Sequence, residues 1–118
     1  MNKVMVNGRL IKEAETKIHE KNNLLCTFFI ANDVWFGNTK KTGFYKCQAW
    51  GQIGKIIGEN AKTGTELFIT GRLEQYRYEN ETGSVVYDNY IVVEQFDFGA
   101  KPGNTPNNEN AEDVLNGN

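Results

Sequence analysis

Phe44-Tyr45-Lys46-Cys47-Gln48-Ala49-Trp50 alternates between two chemically unlike rows. Successive side chains of an extended strand point to opposite faces. Phe44, Lys46, Gln48 and Trp50 therefore share one side, and Tyr45, Cys47 and Ala49 the other. A core-facing row does not carry a lysine and a glutamine between large aromatics, because burying an unpaired amide costs roughly 2–7 kcal/mol and an unpaired ammonium more. The row Phe44, Lys46, Gln48, Trp50 is thus expected on an accessible face, open to solvent or covered by a neighbouring chain.

On the N-terminal side of this strand, Gly37-Asn38-Thr39-Lys40-Lys41-Thr42-Gly43 is polar and glycine-bounded. It reads as a mobile hairpin loop joining Trp35 to Phe44. The apolar run Leu24 to Ala31, continuing to Phe36, reads as a central strand. Lys12 to Asn23 is a loop or a two-stranded excursion, and His19 within it reads as solvated and without a role. Lys3 to Leu10 reads as a first strand, with Gly8 tolerated where it bends sharply.

On the C-terminal side the period changes. Ile53, Ile56, Ile57 and Ala61 fall at i, i+3, i+4 and i+8, one face of a short helix ended by Lys62-Thr63-Gly64. Glu66 to Tyr78 returns to period two, with Leu67, Ile69, Gly71 and Leu73 inward and Phe68, Thr70, Arg72, Glu74, Tyr76 and Tyr78 outward. A turn at Glu79 to Gly83 leads into a last strand, Val85 to Phe98. There Tyr87, Ile91 and Val93 take one parity and Tyr90, Val92, Phe96 and Phe98 the other.

Three strands, one helix, then two strands is the order of the OB-fold. The expected fold is all-β: a five-stranded Greek-key barrel with one short helix between strands 3 and 4. An SH3-like barrel lacks that helix, and an immunoglobulin-type sandwich needs about seven strands. Residues 1–99 are expected to form this domain. Residues 100–118, with both prolines, six asparagines and two glycines, are expected to be a disordered tail.

Composition narrows the chemistry. A length of 118 residues suits one domain. No apolar run approaches a membrane span, and Met1-Asn2-Lys3-Val4 lacks the apolar stretch of a secretory signal, so the expected location is the cytoplasm. Cys26 and Cys47 sit in apolar runs and read as buried small hydrophobes, unpaired in a reducing compartment. A lone histidine gives no zinc set, and there is no nucleophile elbow or glycine-rich phosphate cradle. An enzyme is the poorest option, and no cofactor or metal is expected.

Thirteen basic residues face fifteen acidic ones, with a pI near 5.4. The acidic excess lies in the tail, since residues 1–100 balance at twelve and twelve. Any nucleic-acid binding must then come from a local stripe and from stacking, not from a global positive field. Exposed rings alternating with a cation and an amide suit a single strand, offering platforms for bases, charge for phosphate and an amide for hydrogen bonds. Lys40 and Lys41 are either a solvated loop tip or a basic arm that folds over a phosphate backbone.

Asn2 to Leu10, the Trp35 strand end, Trp50-Gly51 opening the helix, Lys62-Thr63-Gly64-Thr65, Phe68 to Leu73 and the hairpin from Tyr76-Arg77-Tyr78 to Gly83 together resemble the bacterial and bacteriophage single-stranded DNA-binding protein family. The resemblance runs in order from residue 2 to about residue 98. It implies an OB-fold homotetramer that wraps single-stranded DNA in replication, recombination and repair. The implied stacking residues are Trp35, Phe44, Trp50 and Tyr78, with Tyr76 and Tyr87 as further ones. Implied phosphate contacts are Lys3, Lys46, Arg72 and Arg77, then Lys40 and Lys41, with Lys55 and Arg9 as further candidates. Family members commonly end in an acidic stretch and a terminal Pro-Phe that recruits replication and repair enzymes. This chain instead reads Glu112-Asp113-Val114-Leu115-Asn116-Gly117-Asn118, so recruitment by that route is not expected unless Val114-Leu115 serves a divergent partner, and a phage or mobile-element origin is suggested. The alternative from another class is an OB-fold RNA-binding or primosome-type protein-interaction module, since aromatic side chains also suit interfaces.

Overall fold

Phe28, Ile30, Leu67, Ile69, Cys47 and Ala49 are sealed from solvent, and the strands that carry them close around their side chains. A computed structural model describes residues 1–103. Its elements are β1 (Val4–Leu10), β2 (Glu15–Ile18), β3 (Leu24–Phe36), β4 (Thr39–Trp50), α1 (Gly51–Asn60), β5 (Glu66–Glu79) and β6 (Val85–Phe98). The sheet runs β1-β5-β6-β4-β3-β2, and β1 also pairs with β3. That last pairing closes a five-stranded barrel, with β2 laid along β3 outside it. With α1 between the third and fourth barrel strands, this is the OB-fold topology expected from the order of elements.

Closure happens where β1 leaves β5 and crosses to β3, at Arg9↔Ala31 and Leu10↔Ile30. Gly8 makes this crossing, and a Cβ there would lie 2.4 Å from the Ala31 carbonyl oxygen. Only a residue without a side chain permits so close an approach. The other closing contact is weak in extent: β4 and β6 run parallel and pair only at Cys47↔Ile91 and Gln48↔Val92. Helix α1 follows Trp50 directly and turns Ile57 into the core, with Ile53 packed beside it. It ends on a hydrogen bond from the Ala61 amide to the Ile57 carbonyl, 2.8 Å. No helix among the described residues is long and apolar enough to cross a membrane.

Several sequence expectations are corrected. Residues 37–43 are not a loop: β3 and β4 stay paired to Phe36↔Thr39, and the turn is Gly37-Asn38 alone, with Gly37 at φ 59°. Polar residues there mark an arm wetted on both faces rather than the absence of a strand. Between Lys12 and Asn23 the excursion holds one strand, β2, which pairs with Leu24 to Thr27 of β3, and a single 3-10 turn at Glu20–Asn22. Leu73 and Tyr45, expected inward, are exposed because they lie where the long hairpins pass beyond the barrel.

Along β6 the register jumps from Gly71↔Val93 to Thr70↔Gln95, leaving Glu94 unpaired as a bulge. The extra residue flips the alternation. Val93 and Phe96 therefore both turn toward the core, against the expected opposite parities. Ala100 still belongs to the fold: its amide donates to Glu66 Oε1 at 3.0 Å, and its carbonyl accepts from the Glu66 amide at 2.8 Å. The expectation of disorder for the rest of the tail, from residue 104 on, lies outside the described residues.

Candidate nucleic-acid interface

The β3–β4 register builds one continuous outer face. Cys26↔Ala49 and Phe28↔Cys47 point into the barrel, so the alternate pairs Leu25↔Trp50, Thr27↔Gln48, Phe29↔Lys46, Ala31↔Phe44, Asp33↔Thr42 and Trp35↔Lys40 point out. Trp35 is 63% exposed, Phe44 64% and Trp50 43%. From Lys40 to Trp50 this face extends about 33 Å at roughly 3.3 Å per residue. Three open rings and two lysines thus stand along one side of a stiff two-stranded ladder.

Other elements complete it with Lys12 and Phe29, not singled out from the sequence, and with His19, which the sequence reading left without a role. Lys12, from the connection between β1 and β2, places its ammonium 5.1 Å from the Phe29 ring centroid. His19 lies 5.4 Å from Trp50, centroid to centroid, with the rings tilted by 60°. Phe29 was legible in principle, since it alternates with the core residues Phe28 and Ile30. Lys12 and His19 were not, because the β1–β3 pairing, continued by the Ile11 amide to the Phe29 carbonyl, brings Lys12 to the open face, and the pairing of β2 with β3 brings His19.

The β5–β6 hairpin supplies the opposite wall. Tyr76 stacks on Tyr78 with centroids 5.9 Å apart and leans on Tyr90 at the same separation. Lys46 reaches across from β4 with its ammonium 5.6 Å from the Tyr76 centroid, a cation–π contact that joins the two walls. Two adjoining hollows, about 330 and 360 Å³, lie between the walls and share Phe44, Lys46, Asp88 and Asn89. The Tyr76 phenol is pushed up from its ordinary pKa, first by desolvation in this groove and then by the Asp88 charge. It stays neutral and can donate.

Not every expected residue gathers here. Tyr87 and Arg77 are register partners on the other side of the β5–β6 arm from Tyr76 and Tyr78. Lys41 pairs with Val34, on the reverse of the face that carries Trp35 and Lys40. Lys3 forms an ion pair with Glu94, while Arg72 pairs with Glu74 at 2.6 Å and lies 3.6 Å from Glu94. The Lys3 hydrogen bond holds the Glu94 carboxyl below its usual range, and the Glu74 hydrogen bond raises the Arg72 guanidinium. Both cations are locally neutralised, and Arg72 stands two strands from β4. Arg9 donates to the Gly64 carbonyl at 2.6 Å, tying β1 to the approach to β5. Lys55 stands exposed on α1.

Comparison with known proteins agrees with this architecture. Residues 1–99 match the family model described as the single-strand binding protein family. The chain is 31% identical over 117 residues to single-stranded DNA-binding protein 1 of Streptococcus agalactiae, covering 93% of this chain and 72% of that protein. It is 31% identical over 118 residues to single-stranded DNA-binding protein 1 of Streptococcus pyogenes, covering 98% and 91%. Among solved structures, the chain in a Plasmodium falciparum SSB complex with ssDNA superposes with a TM-score of 0.77 at 19% identity, over 85% of this chain and 96% of that one, a likeness of fold. With a family model spanning the whole barrel and relatives matched along most of their length, the chain belongs to the single-strand binding protein family.

Proposed function

We propose that this chain binds single-stranded DNA with little sequence preference and protects it during replication, recombination and repair. The observation that carries this is the outer face of β3 and β4, where Trp35, Phe44 and Trp50 stand open beside Lys40 and Lys46. Bases stack on these rings and on Tyr76 and Tyr78, at about 1–3 kcal/mol each. Phosphates are met by Lys40, Lys46 and Lys12. Family membership and the names of the relatives support the same ligand. With a formal net charge of −2 the affinity rests on stacking more than on charge, so its salt dependence is shallow.

The experiment is a titration of tryptophan emission with oligo(dT) at two salt concentrations, with duplex DNA as control. Quenching by the single strand alone, with a modest salt slope, is expected. Unchanged emission at saturating single strand would sink the proposal.

The protein acts as a homo-oligomer, in the form of a tetramer, in the cytoplasm of a bacterium or of a phage-infected cell. Support for assembly comes from β1, whose residues Val4 to Val6, among the described residues, pair with β5 only and leave their other edge open, and from Met5 at 81% exposure. An open edge of this kind invites a second strand. Light scattering at the mass of one chain would exclude the assembly.

A further inference from the structure

We propose that Asp88 gives the groove between β4 and the β5–β6 hairpin a preference for cytosine over thymine. This rests on the DNA-binding function above and adds to its stacking platforms one residue that reads a base edge.

Asp88 is the register partner of Tyr76, so both side chains leave the hairpin on the same side. That side meets β4, because Lys46 lies over the Tyr76 ring. Asp88 lines both hollows of the groove together with Phe44 and Lys46. Its carboxylate is held by little. The Tyr76 hydroxyl donates to Oδ2 at 3.5 Å, well beyond the 2.5–2.7 Å typical of such bonds. Among the described residues no lysine or arginine is within 4.0 Å of it. A carboxylate offers about four acceptor positions and no donor. Among the described residues only the long Tyr76 contact engages one of them, and the exposed carboxylate lines the groove.

A phosphate placed against this group would be repelled, so the favourable occupant of the space beside Asp88 is the edge of a base. A base stacked on Phe44 or Tyr76 lies parallel to the ring, and side chains flanking the ring meet its edge. Cytosine presents the N4 amine there, with two hydrogens to donate to a carboxylate, whereas unpaired thymine has one donor, N3–H, flanked by the O4 and O2 carbonyls that the carboxylate opposes. The two pyrimidines offer similar stacking faces, so the difference isolates the edge. One such reader on a track of several bases shifts a preference without making the protein sequence-specific.

The test compares dC and dT oligomers of equal length by tryptophan quenching, at fixed salt and slightly alkaline pH, using the full chain. The wild type is expected to bind dC about 3- to 10-fold more tightly, the range of one net hydrogen bond. Asp88→Asn, an exposed substitution of nearly the same shape, is expected to bring the ratio to about one. Asp97→Asn removes the same charge elsewhere on β6 and is expected to leave the ratio as in the wild type. Equal wild-type affinities, a ratio that survives Asp88→Asn, or a ratio lost in Asp97→Asn overturns the assignment while leaving DNA binding intact. Failure of the wild type to bind either oligomer overturns both.

Discussion

Trp35 and Lys40 are register partners across the β3–β4 hairpin, on the side of the sheet that also carries Phe44 and Lys46. Lys41, one residue on, pairs with Val34 and faces the reverse. Neighbouring lysines of equal charge thus take opposite faces, and only Lys40 is expected to reach a bound single strand. Lys40→Gln is expected to weaken single-strand binding and reduce the salt slope by about 0.7, the increment for one phosphate contact on a single strand. Lys41→Gln is expected to change the slope much less. Paired titrations across a salt series measure both.

The aromatic platforms separate binding from folding. Trp35→Ala removes a side chain that is 63% exposed on a hairpin arm, so a loss of about 1–3 kcal/mol in DNA affinity is expected. Its effect on the melting free energy should stay within about 0.5 kcal/mol. Trp50→Ala is expected to lose a similar amount of affinity. Fluorescence anisotropy of a labelled oligomer, alongside thermal melts, reads the two quantities independently.

Glu94 makes stability depend on acid. Its folded pKa is depressed, chiefly by the hydrogen bond from Lys3, below the 4.5 of an unperturbed glutamate. The contribution is therefore complete above about pH 4.5 and is lost as the pH falls through the depressed folded value. Glu94→Gln should melt with a shallower dependence on pH in that window. Identical slopes in the two proteins would contradict the linkage.

The alkaline side belongs to the cysteines. Burial pushes the thiol of Cys26 up to about 11 and that of Cys47 up to about 12, from 9.0. Both thiols stay neutral in the fold but ionise in the unfolded chain, so their contribution is present below about pH 9 and is lost as the pH rises through the folded values. Native protein near neutral pH is expected to be unreactive toward a disulfide reagent, and the denatured chain to release both thiols. Rapid reaction of the folded protein would show that the core opens.

Gly8→Ala tests barrel closure. The added methyl meets the Ala31 carbonyl oxygen, a backbone atom that cannot rotate away. A loss of about 1–3 kcal/mol is expected, the usual cost of overpacking. Urea denaturation measures it, and an unchanged midpoint would mean that β1 and β3 separate without cost.

The barrel was legible because its strands alternate cleanly where one face is buried. Cys47 and Ala49 against Lys46 and Gln48, or Leu67 and Ile69 against Phe68 and Thr70, state their sides outright. Legibility failed where burial stopped. In Thr39 to Gly43 neither face meets the core, so no alternation reported the strand, and glycine and asparagine suggested a loop. The bulge at Glu94 was invisible because a register shift belongs to two strands at once. His19 and Lys12 reached the interface through tertiary pairing, which no local pattern records. Lys3 looked free because its partner, Glu94, lies far along the chain, whereas Arg72 has its nearer partner, Glu74, two residues away on the same strand.

The parallel seam of β4 and β6 is two residues long, yet the hairpins it joins run on well past it, to Gly37-Asn38 in one and Asn80 to Ser84 in the other. Below the seam the molecule is a braced cylinder; above it stand two cantilevered fingers, one bearing Trp35 and Lys40, the other Tyr76 and Tyr78. No ladder joins the two beyond Gln48↔Val92, and what spans them is the contact of Lys46 with Tyr76. Backbone pairing thus holds the sealed centre, while the cleft between the hairpins is bridged by side chains.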